Sequence, residues 1–157
     1  MSSRVQDEVH RTLEQIPEIS ESSRAMVFEA ALQSISKGRD LSSLSLALLE
    51  SGCDSMTKSR AGEISRLIHN AATATLNAEK QLSLGIRTAV WLYSGAPCMS
   101  NPKDPSDKDI HQDQAHKAAS GKTYEVSKGM LLAGVWTLPG RDEGCKCTSK
   151  SVIPGLD

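Results

Sequence analysis

The sequence is poor in aromatic residues. Across 157 residues there are only Phe28, Trp91, Tyr93, Tyr124 and Trp136, so any core is built mainly from aliphatic side chains and alanine. It lacks an excess of either charge sign. The formal net charge is −1, and basic residues divide 9 and 9 between residues 1–80 and 81–157. A general nucleic-acid binder carries a basic excess or a concentrated basic face, and neither is present. No apolar run approaches the roughly 18 residues that a membrane span needs. The opening MSSRVQDEVHR has no apolar core of signal-peptide type, which leads to the expectation of a protein that stays in the cytosol where it is made. No phosphate loop, nucleotide fingerprint, paired-carboxylate motif or internal repeat is found. Cysteine is scarce and unevenly placed: of Cys53, Cys98, Cys145 and Cys147, three fall in the last 60 residues.

What is present divides into two halves of different character. Residues 1 to about 84 read as helical. Val5, Val9, Leu13 and Ile16 recur at three- and four-residue steps until Pro17, giving a short first helix read as an arm or lid over residues 1–19. A second helix starts at Ser20 or Ser22, buries Val27, Ala30, Ala31 and Ile35, and ends at Gly38. A third is capped by Asp40, carries Leu41, Leu44, Leu48 and Leu49, and stops at Gly52, with Cys53 as a small packing residue behind it. The fourth, from about Thr57 to Leu84, has the most sustained stripe: Ile64, Leu67, Ile68, Ala71, Ala78 and Leu82. His10 and His69 fall on helical segments and read as surface or hydrogen-bonded core positions.

After Gly85 the pattern changes. Arg87–Tyr93 is β-branched and aromatic, hence a strand. Residues 94–107, with Gly95, Pro97, Pro102 and Pro105, form a loop. A short helix capped by Ser106 or Asp107 runs through Ala119, with Asp113 and Lys117 placed for an i,i+4 pair and Gly121 closing it. The other acidic residues there, Asp104, Asp107 and Asp109, read as capping and solvation. Short strands follow at Thr123–Val126, Val135–Leu138 and Cys147–Ile153, with a turn at Pro139-Gly140. The expected fold is α+β: an arm (1–19), a helical region (20–85) and a small α+β C-terminal module with short strands (86–157).

The module collects Cys98, His111, His116, Cys145 and Cys147, thiols and imidazoles of the kind zinc prefers. Five residues apart on a helix, His111 and His116 differ by roughly 140° in direction, so they do not share one ion. His116 lies nearer the turn at Gly121 and is the chosen ligand, giving Cys98, His116, Cys145 and Cys147 as a structural zinc set. Two other readings stand beside it: buried unligated thiols with a hydrogen-bonded histidine, and a disulfide from Cys98 to one of the pair, which a reducing cytosol disfavours. A Cys/His nucleophile from Cys145 or Cys147 with His116 is the weakest reading, since nothing in the sequence places them in contact.

The string Leu138-Pro139-Gly140-x4-Cys145-Lys146-Cys147-Thr148, preceded by His116-x4-Gly121-Lys122 and a strand bearing Trp91, resembles the phage head-morphogenesis family, the phage Mu protein F-like minor head proteins. Arg66-Leu67-Ile68-x-Asn70-x3-Ala74-x2-Asn77-Ala78 and the leucine-bearing segment 41–52 are also similar. The resemblance covers roughly residues 25–157. Two departures stand out: Lys146 where arginine is usual, and a Pro/Asp-rich insertion with Cys98 where members commonly carry Asp and Arg. The resemblance implies a virion structural or assembly protein that associates with the portal and other capsid proteins. It would reside in the phage head, and in the host cytoplasm during assembly, and it implies no enzymatic activity. Self-association and a local contact with packaged DNA through Lys117, Lys122, Lys128, Lys146 and Lys150 are compatible with it. The alternatives are a small metal-dependent enzyme or toxin-like domain built on the Cys/His cluster, and a metal-free binding module that leaves Val5, Val9 and Leu13 exposed for a partner.

Overall fold

The computed structural model describes residues 1–51 and 55–156. The expected helix stop at Gly52 and the packing role of Cys53 lie outside the described residues. The chain forms two compact units, residues 1–73 and 74–157, divided within one long helix rather than at Gly85.

The first unit is helical: α1 (Ser3–Glu14), α2 (Glu21–Ser36), α3 (Leu41–Glu50) and the start of α4 (Lys58–Ser83). Each of the first three begins where a short polar side chain can accept from an orphan backbone N–H, namely Ser2, Ser20 and Asp40. Their apolar stripes meet in one cluster containing Val5, Val9, Leu13, Val27, Ala31, Leu44, Leu48, Ala61, Ile64 and Ile68. Fully burying one Val, Leu or Ile contributes about 1.5–3 kcal/mol. That accounts for α1 as a wall of the core, where the sequence reading had an arm. The same burial removes the exposed Val5–Val9–Leu13 docking stripe. His69 is a hydrogen-bonded core residue, with Nε2 2.8 Å from the Ser34 hydroxyl.

The second unit is built around β1 (Thr88–Leu92), the centre of an antiparallel sheet ordered β2-β1-β5, with β2 at Thr123–Glu125 and β5 at Thr148–Ser151. A separate hairpin joins β3 (Met130–Leu132) to β4 (Val135–Thr137), and α5 spans Asp107–Ala119. Alternation along β1 buries Ala89 and Trp91, and Tyr124 pairs directly with Ala89. The Gly121 N–H donates to the Trp91 carbonyl at 2.8 Å and the Trp91 N–H to the Lys122 carbonyl at 2.9 Å. Gly121, at φ 84°, thereby ends α5 and lays its C-terminus against β1. Ala74 and Ala78 of α4 join Trp91, Val126 and Leu138 in this unit's core. The fold is α+β, with a helical N-terminal half and short antiparallel strands in the C-terminal half. No helix among the described residues is long and apolar enough to cross a membrane.

Candidate metal centre

Three segments of the second unit deliver four ligand-type side chains to one place. Cys98 comes from the loop after β1, His116 from the last turn of α5, and Cys145 and Cys147 from the segment entering β5. Their ligand atoms all lie within 4.8 Å of one another. Cys98 Sγ is 3.4 Å from Cys147 Sγ, and His116 Nδ1 is 3.3 Å from Cys145 Sγ and 3.8 Å from Cys147 Sγ. None of the four is more than 6% exposed. His111, by contrast, is exposed on α5, as the helical angle between the two histidines requires.

The three separations of 3.3–3.8 Å are close to those around a tetrahedral ion, and the wider ones, up to 4.8 Å, would close on binding. With metal–sulfur bonds of roughly 2.3 Å and metal–nitrogen bonds of roughly 2.0 Å, ligand atoms stand about 3.5–3.8 Å apart. A disulfide needs sulfurs about 2.05 Å apart; Cys98, Cys145 and Cys147 are all free. Three thiols and one imidazole, buried together, thus form a group that can hold a metal ion.

Electrostatics around the cluster point the same way. The His116 ring presents Nδ1 to the thiols, while Nε2 lies 3.4 Å from the Asp142 carboxylate. A carboxylate on the far nitrogen fixes ring orientation and raises ligand basicity. Burial alone would depress the imidazole, but Asp142 together with Cys147 and Cys98 pushes it up to about 11. Hydrogen bonding to Cys145 and Cys147 holds the Cys98 thiol far below its usual range, whereas the same contacts and burial push Cys145 up. The Gly140 N–H adds a further contact to Cys145 Sγ at 3.3 Å, which explains the turn at Pro139-Gly140 five residues before that ligand.

Around the cluster lies a polar frame that does more than the capping and solvation read from the sequence. Asp109 closes a capping box with Ser106 and also accepts from the Ser100 N–H, the Ser100 hydroxyl and the Asn101 N–H. Burial opposes its ionisation, but the donors at Ser100, Ser106 and Asn101 outweigh burial and hold its carboxyl below the usual range. Asp113 does not pair with Lys117. Its Oδ1 accepts from the Tyr93 hydroxyl and the Cys98 N–H, both at 2.8 Å, and this raises the Tyr93 phenol to about 12. Gln112 Nε2 donates to the Cys98 carbonyl at 2.9 Å and to the Glu143 carbonyl at 3.0 Å. The signal for these two residues was available. Positions 112 and 113 stand four and three before His116 and so share its helix face. Asp142 had no comparable signal, because its contact arises from tertiary approach. Trp91 lines the site, its ring edge-on to His116 at 5.2 Å between centroids. The five lysines of the suggested DNA patch are all exposed, and Lys128 pairs with Glu125 at 3.2 Å.

The chain matches no protein-family model, no curated protein and no solved structure.

Proposed function

We propose that Cys98, His116, Cys145 and Cys147 hold one zinc ion in a closed structural site, and that the chain is a minor head protein of a phage or prophage. The zinc holds the C-terminal unit together. Three thiolates and a buried imidazole are a zinc-type donor set, and four protein ligands leave no open position of the kind catalytic zinc keeps for water. That donor set argues against the metal-dependent enzyme or toxin reading.

The head-protein reading rests on the residues of the C-terminal string. One observation carries it furthest: the separated parts of that string, His116 with Gly121, Pro139-Gly140 and Cys145-x-Cys147, serve a single site. On this reading the string is the footprint of one metal-stapled module. The protein then acts through contacts with the portal and other capsid proteins, in head assembly or genome delivery, and no reaction is assigned to it. Any DNA contact is a local one through the exposed lysines.

The test is co-purification of the full-length chain with the portal protein encoded alongside it. Specific retention at micromolar concentration is expected. A folded chain that shows no retention would overturn the portal assignment while leaving the metal centre to its own test.

A further inference from the structure

Cys98 differs from the other ligands in how it is held. His116 belongs to a helix, and Cys145 and Cys147 bracket one residue at the entry to a strand. Cys98 sits in a loop containing Pro97, Pro102 and Pro105, with no ladder or helix to position it. Yet both of its backbone polar groups are engaged by consecutive side chains of α5: the N–H by Asp113 at 2.8 Å and the C=O by Gln112 at 2.9 Å. The same Gln112 amide reaches the Glu143 carbonyl at 3.0 Å, two residues before Cys145. The two ligand-bearing loops also touch directly. A Cβ on Gly144 would stand 2.0 Å from the Met99 carbonyl oxygen, so only glycine admits this approach.

We propose that Gln112 and Asp113 are the positioning residues of the metal centre, fixing Cys98 in ligand geometry and tying its loop to the one that carries Cys145. The proposal rests on the metal reading above. Its physical basis is entropy. Ordering a free loop costs conformational entropy, a cost otherwise set against metal binding. A helix that supplies one ligand and fixes the backbone of another removes that cost before the ion arrives. Partners that orient ligands from outside the coordination shell typically alter metal affinity 10–100-fold.

The experiment uses the full-length chain with Co²⁺ as the probe, in competition with a chromophoric chelator. Gln112→Met keeps the side chain's length but donates nothing; Asp113→Ala removes the acceptor; Asp113→Asn retains an oxygen that can accept from both Tyr93 and Cys98. Gln112→Met and Asp113→Ala are expected to weaken Co²⁺ binding about 10–100-fold, with Asp113→Asn close to wild type. The thiolate-to-cobalt absorption should also fall from its three-sulfur intensity toward a two-sulfur value as Cys98 leaves, a change that general destabilisation does not produce. If Asp113→Ala fails to fold, as judged by tryptophan emission, Gln112→Met decides. Wild-type affinity and full thiolate intensity in Gln112→Met would overturn the positioning role while the metal site stands. A wild-type chain that takes up no Co²⁺ would overturn the metal reading and this proposal with it.

Discussion

Cys145 is a proposed ligand whose removal tests the centre directly. Its sulfur contacts His116 Nδ1 and the Gly140 N–H, and it is almost fully buried. Serine at this position offers a harder, less readily deprotonated oxygen to the same ion. Cys145→Ser should lower the second unit's stability by about 3 kcal/mol or more, which at roughly 4–8 °C per kcal/mol is a fall of over 10 °C in melting temperature. An unchanged tryptophan melting curve would contradict this. In the first unit, His69 gives a pH signature. Burial, with a further push from the Arg39 charge and against that of Asp40, sets its pKa below the ordinary 6.5. The unfolded chain therefore binds the proton more readily. This group's contribution is complete above about pH 6.5 and is lost as pH falls through that value toward the folded pKa. Urea midpoints followed by far-ultraviolet circular dichroism should fall between pH 7.5 and pH 5 by less in His69→Gln than in wild type. Equal falls would show that His69 does not contribute to the pH dependence.

Elements show what could be read in advance. The four helices that begin in the first unit were legible because their stripes repeat at three- and four-residue steps, and the starts of α2 and α3 carry Ser20 and Asp40. What failed was the status of α1: periodicity locates an apolar face but does not say what covers it, and here the helical unit does. The β3–β4 hairpin was only half legible. Met130–Leu132 is too short to show alternation, and its two-residue turn uses Ala133 and Gly134, both at positive φ, where asparagine or aspartate would have announced the first position. In the site, the four side chains that come together were legible as candidates from donor chemistry and helical angle. Asp113 was misread because helix pairing predicts a local partner in Lys117, whereas the side chain turns to Tyr93 and Cys98. Two substitutions test the elements themselves. Ser106→Ala should cost about 1 kcal/mol by opening the capping box of α5. Gly144→Ala should cost considerably more and weaken metal retention, since it forces a Cβ into the Met99 carbonyl at φ 78°. A Gly144→Ala chain with wild-type stability and metal retention would show that the two ligand loops need not meet there.

At the scale of the whole molecule, the scarcity of aromatics becomes an experimental advantage. Both tryptophans and both tyrosines lie in residues 74–157, and the only aromatic residue of the first unit is Phe28. Tryptophan emission therefore reports the unit with the Cys/His cluster alone, while three complete helices and most of the helical signal belong to the other. Removing the ion with a strong chelator should red-shift the emission of Trp91, which is fully buried beside His116, and leave most of the helical circular dichroism intact. Loss of both signals together would mean that the ion supports the entire chain. The proposed role in the phage head calls for a division of labour: a helical unit with its own aliphatic core, and a small module whose buried cluster around Trp91 is joined by the proposed zinc. The measurement that tests this most directly is the metal content of the purified full-length chain by elemental mass spectrometry, alongside Cys145→Ser. One zinc per chain, retained through dialysis, is expected in the wild type, and little or none in the variant. A folded wild-type chain with no stoichiometric transition metal would contradict it.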